Sequence, residues 1–83
     1  MYQIKIDNGK NSAMIDLNRF FYPLHLIHQA AFKFRDVAEV SVQENQNRVI
    51  VNLVPKGNKG AELISLHFCN FTLALKRELG EHA

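Results

Sequence analysis

Apolar residues in this chain keep two rhythms, and the order in which the rhythms change constrains the fold more than any other feature. In four short stretches apolar and polar positions alternate, the pattern of a strand that buries one face. In two longer stretches apolar residues recur every three or four positions, the pattern of one side of an α-helix. The first alternation is Tyr2, Ile4 and Ile6, separated by Gln3 and Lys5. Asp7-Asn8-Gly9-Lys10 follows, and Asn-Gly favours a hairpin because both residues tolerate positive φ. The loop runs on through Asn11 and Ser12, which leaves its turn type open. From Ala13 to Leu17 the alternation resumes, with Ile15 and Leu17 on one face and Asp16 on the other. An N-terminal hairpin is therefore expected.

Asn18 to Tyr22 connects this hairpin to a helix, with Pro23 suited to the first turn because its missing N–H is not needed there. Leu24, Ile27, Ala31 and Phe34 form the helical stripe, widened by Leu26 and Ala30, and the helix is expected to end near Arg35-Asp36. Val40 and Val42, then Val49, Val51 and Leu53, alternate with other residues on either side of the polar turn Glu44-Asn45-Gln46-Asn47. Apolar residues on both faces of the second run predict a central strand. Pro55 to Gly60 reads as a flexible loop without a hydrophobic anchor. The last helix is expected from about Ala61 to Leu79, closed by Gly80. Ile64, Phe68, Phe71, Leu75 and Leu79 form its main ridge, and Leu63, Leu66, Asn70 and Leu73 a second one available to another chain.

The expected fold is α+β: one domain over residues 1–83, ordered ββαββα, a small antiparallel sheet with both helices on one face. The predicted core is Ile4, Ile6, Ile15, Leu17, Leu24, Ile27, Ala31, Phe34, Val40, Val42, Val49, Val51, Leu53, Ile64, Phe68, Phe71 and Leu75. A domain of 83 residues has a modest core. Pairing into a homodimer, through an open sheet edge or the second ridge, would add to it.

Composition removes several classes of function. No apolar run is long enough to span a bilayer, and MYQIKIDNGK does not read as a secretory signal. The single cysteine, Cys69, excludes an internal disulfide framework and any multi-cysteine metal site, and suits a reducing compartment. A net charge of +2, with Tyr2 the one aromatic in a strand, does not suit nucleic acid.

Few residues offer chemistry. His25 and His28 share a helix face and could supply two metal ligands, but a zinc site needs a third. His67 and Cys69 stand two apart on a helix and diverge, which disfavours a nucleophilic pair; Cys69 reads as a small buried hydrophobe. Lys56, Gly57, Lys59 and Gly60 could cup an anion but read as a solvated loop. Phe20, Phe21 and Tyr22 beside Arg19 could form a platform, though packing of the helix start against the sheet is the expected outcome. No paired carboxylates, phosphate loop or metal motif appears. No catalytic, cofactor-binding or metal residue is assigned, no cofactor is expected, and the chain reads as a non-enzyme.

The stretch from Tyr22 to Asp36, with Ala30-Ala31-Phe32-Lys33-Phe34 at its heart, resembles the opening helix of the HxsD family, the small component of His-Xaa-Ser peptide-maturation systems. The two valine-rich strands follow at similar spacing. Phe68-Cys69-Asn70, preceding a leucine-rich run and Arg77, is similar to the family's Phe-x-Asn segment. The run Asn70-Phe71-Thr72-Leu73-Ala74 lacks the acidic residues of the family pattern. The resemblance covers roughly residues 14–79. It implies a bacterial cytoplasmic accessory protein working beside radical S-adenosylmethionine enzymes that modify a precursor peptide. It carries over no catalytic residue. The function expected is thus a non-catalytic adaptor that binds the precursor peptide or its modifying enzyme. A metal-handling protein using His25 and His28, and a purely structural homodimer, stand as alternatives.

Overall fold

Each alternating stretch becomes a strand and each longer period a helix. The computed structural model describes residues 2–79 and the order is β1 (Tyr2–Asp7), β2 (Ser12–Asn18), α1 (Leu24–Phe34), β3 (Ala38–Glu44), β4 (Arg48–Pro55) and α2 (Ala61–Leu79). The Gly80 closure and the tail after it lie outside the described residues, as does the side chain of Leu79.

The sheet runs β1-β2-β4-β3, with all three pairings antiparallel. Its register places like residues across from one another. Ile4, Ile15, Val51 and Val42 form one row across all four strands, and Ile6, Ala13, Leu53 and Val40 the next. These rows face the helices. The opposite face carries Lys5, Met14, Asn52 and Ser41 in one row and Gln3, Asp16, Ile50 and Gln43 in another. Asp16 and Arg48 pair diagonally there, from β2 to β4. β4 is central, as its apolar content predicts, but its two faces differ: Val49, Val51 and Leu53 are buried while Val54 is exposed.

α2 packs over β1, β2 and β4, and α1 over β3, with the helices touching each other. Both helices lie on one face of the sheet. This geometry explains where α1 departs from expectation. Its fully buried residues are Leu26, Ile27 and Ala30, while Leu24, Ala31 and Phe34 are half-buried. A helix wedged between a sheet and a second helix buries two adjoining sectors, and the sheet takes the Leu26–Ala30 sector. Phe34 turns to α2, its ring 5.3 Å from Phe68 and 5.9 Å from Phe71. Pro23 sits one position earlier than expected, at the N-cap with φ −57° and ψ 139°. It supplies no side-chain cap; its own carbonyl accepts from the Leu26 and Ile27 N–H groups.

The core differs from the predicted set at its margins. Ile4, Ile6, Val40, Val42, Phe71 and Leu75 are half-buried, whereas Tyr22, Ala13, Ala38, Ala61, Ser65, Cys69 and Thr72 are buried. The two hydroxyls reach the interior because each donates to the carbonyl four residues back: Ser65 to Ala61 at 2.7 Å and Thr72 to Phe68 at 2.9 Å. A buried polar group costs little once so bonded.

Two loops correct the sequence reading together. In the first hairpin Asn11, not Gly9, adopts positive φ, at 48°. That backbone turn places the Asn11 carboxamide against the start of α2, where its Oδ1 accepts from the Ala61 N–H at 2.8 Å and its Nδ2 donates to the Lys59 carbonyl at 3.3 Å. The Lys56 N–H also donates to the Val37 carbonyl. The loop read as a flexible connector is thus tied at both ends. Its anchors are polar, so a search for hydrophobic anchors misses them.

Candidate docking surfaces

The residues singled out for chemistry are dispersed or closed off by the fold. Cys69 is buried in the core, and loss of solvent pushes its thiol from 9.0 up to about 12. A thiol held protonated is a poor nucleophile. His67 is exposed, in keeping with two helix positions that point apart. Burial likewise raises the Tyr22 phenol, with Cys69 and Tyr2 adding to the effect.

His25 and His28 are both exposed and line the same depression, one turn apart on α1. Among the described residues no group of three or more His, Cys, Asp or Glu could hold a metal ion. The aromatic trio before α1 divides. Tyr22 is buried, 4.9 Å from Phe21 and 6.3 Å from Tyr2, edge to face in both cases. Phe21 carries the Lys76 ammonium 3.8 Å above its ring, and Phe20 stands 82% exposed. Packing takes two of the three, so no continuous platform forms.

Two surfaces remain that can receive another molecule. The first is the β1 edge. An edge strand points every second N–H and C=O outward, unpaired. β1 has an uninterrupted six-residue register with β2, no proline, and Lys5 as its one basic residue. Its helix-facing row is incompletely covered: Tyr2 is 37% exposed and Ile4 and Ile6 are half-buried. The opposite edge, β3, is better protected, since α1 packs on it, Ala38 is fully buried, and Glu39 and Glu44 lie along it. On α2, Leu63 and Leu66 of the second ridge are exposed, while Leu73 of that ridge is half-buried.

The second surface is the seam between α1 and α2 on the side away from the sheet. One depression of about 560 Å³ is lined by His25, His28, Gln29, Phe32, Lys33, Phe71 and Leu75. Another of about 400 Å³ continues it past Lys33 and Phe71 to Phe34, Val37, Ile64, His67 and Lys59. Phe32 is 63% exposed, with the Arg35 guanidinium 4.0 Å over its ring. The signal for this seam in the sequence is an aromatic, Phe32, placed four residues after His28 and outside the apolar stripe of the helix. It passes unnoticed when apolar residues are read only as core.

Comparison with models of known protein families, with curated proteins and with solved structures gives no match to this chain.

Proposed function

We propose that the chain is a non-catalytic binding module, an accessory of a peptide-maturation system that docks the precursor peptide or its modifying enzyme by adding a strand to β1. The observation that supports this reading is the open β1 edge, with its continuous register and half-covered row of Tyr2, Ile4 and Ile6. Strand addition draws affinity from main-chain hydrogen bonds and specificity from alternate side chains. An incoming strand would extend the rows that already cross the sheet, laying apolar residues beside Ile4 and Ile6. The resemblance of Tyr22–Asp36 to the HxsD family supplies the choice of system. What supports a non-catalytic role is a thiol buried away from solvent, and helix histidines that have no third metal-ligating neighbour among the described residues. The same edge can pair with a second copy, which is the homodimeric form of this reading.

A fluorescein-labelled synthetic peptide bearing His-Xaa-Ser repeats tests the proposal by anisotropy. Saturable binding to the wild-type chain is expected. A proline scan over Gln3, Ile4 and Lys5 sorts the inward from the outward N–H groups. The variants that keep the wild-type melting transition are those whose N–H pointed outward, and these should lose the peptide. Full binding by such variants would remove strand addition, and absence of binding by the wild-type chain would remove the precursor peptide as the partner.

A further inference from the structure

The α1–α2 seam carries a second inference, independent of the β1 edge. Its floor is apolar, built from Phe34, Ile64, Phe71 and Leu75, and exposed Phe32 and Val37 extend it outward. Its titratable rim is wholly basic in kind: His25, His28 and Lys33 from α1, His67 from α2 and Lys59 from the preceding loop. Among the described residues no carboxylate lines either depression. The nearest along the chain are Asp36, which lies with Lys56 and Lys59 beyond the Val37 end, Glu62, two positions before Ile64, and Glu78, one turn past Leu75. None of the five rim residues forms an ion pair among the described residues. Among the described residues the formal charges along this seam are thus those of Lys33 and Lys59, both positive.

We propose that the seam binds an amphipathic helix of a partner protein, with an apolar stripe against Phe34, Phe71 and Leu75 and acidic residues on both flanks. Three features select that occupant. Ile64 and Leu75 lie eleven positions apart on α2, so the floor is about 16 Å long, close to three helical turns. The walls are helices whose backbone groups are bonded internally, so they offer no ladder to an extended chain; a helix brings its own backbone already satisfied. The Lys33 and Lys59 ammonium groups attract carboxylates placed three or four positions from the apolar anchors, and the histidines offer them ring N–H donors.

The probe is a capped peptide of about 14 residues, long enough to hold partial helix. Leu occupies every third or fourth position, Ala the rest of that face, and Glu both flanks; a control peptide carries Lys in place of Glu. The Glu peptide is expected to bind, at least about tenfold more tightly than the Lys peptide, and to weaken as salt rises. Lys33→Glu with Lys59→Glu changes two exposed side chains, and should reverse the preference while preserving the melting transition. Amide chemical-shift changes should fall on α1 and α2. Ile4→Lys on β1 should leave the binding unchanged, which separates this inference from strand addition. Equal binding of both peptides, binding of neither, or shifts confined to β1 would overturn the proposal. So would attachment to phosphatidylglycerol vesicles without binding of the Glu peptide, which would indicate a membrane surface instead.

Discussion

Asn11 shows how much one residue can hold when its backbone and side chain act together. Its φ of 48° is a region that asparagine visits more readily than most side chains, and its carboxamide caps a helix fifty positions away. The two roles are separable. Asn11→Gly keeps the backbone and loses both hydrogen bonds, so urea denaturation should show a loss of about 1 kcal/mol. Asn11→Ala also strains the backbone and should lose about 2 kcal/mol or more. Asn11→Asp retains the acceptor facing the Ala61 N–H and places a negative charge at a helix N-terminus but loses the donor to the Lys59 carbonyl, so its stability should fall between those of wild type and Asn11→Gly. Equal losses for Gly and Ala would show that the backbone contributes nothing. Cys69 gives a pH prediction. Its proton is held more tightly in the native state than in the unfolded chain, so between about pH 9 and 12 the unfolded state releases protons first and stability falls. The contribution is complete below the ordinary thiol range and is lost as pH climbs toward 12. Tyr22 acts in the same direction. Urea midpoints from about pH 8 to 11 should therefore decline more steeply for wild type than for Cys69→Ala. Ellman's reagent should react with Cys69 at the unfolding rate; immediate reaction in the native state would contradict its burial.

At the scale of elements, α2 organises the molecule. Phe68 is fully buried and meets Phe34 edge to face, so it joins α2 to α1 as well as filling the core over the sheet. Phe68→Ala should destabilise by about 3–5 kcal/mol, a large share of the stability available to so small a domain, and thermal or urea unfolding measures it. A cost below about 1 kcal/mol would mean the helices do not depend on that contact. The outer face of the sheet shows the opposite regime. Asp16 and Arg48 are partly solvated there, and such pairs contribute at most about 1 kcal/mol. The extents of the elements were legible in sequence because periodicity is local, whereas the cap of α2 comes from Asn11 in another segment. The division of the α1 stripe into a sheet-facing and an α2-facing sector was not, since it depends on which neighbour lies on each side.

At the scale of the whole molecule, the unpaired β1 edge and the seam lie on different parts of the surface and call for different measurements. Light scattering at micromolar concentration should report a dimer if two β1 edges join, and Ile4→Lys should return it to monomer. A wild-type monomer would leave the edge free for a peptide and exclude the structural homodimer. The sequence by itself determined the α+β class, the order of the six elements, the face each strand turns inward and the burial of Cys69. The first three follow from residue spacing within a few positions, which backbone geometry translates directly into sidedness, and the last from the apolar character of a lone thiol. Only the tertiary structure decided that β2 pairs with β4, leaving β1 and β3 as edges, because a ladder of backbone hydrogen bonds carries no label for its partner. It also decided that Asn11 would cap α2 and that Phe32, Lys33, Lys59 and His67 would border one seam. Those residues come from separate segments, and contacts between distant segments depend on how the layers pack rather than on any local period.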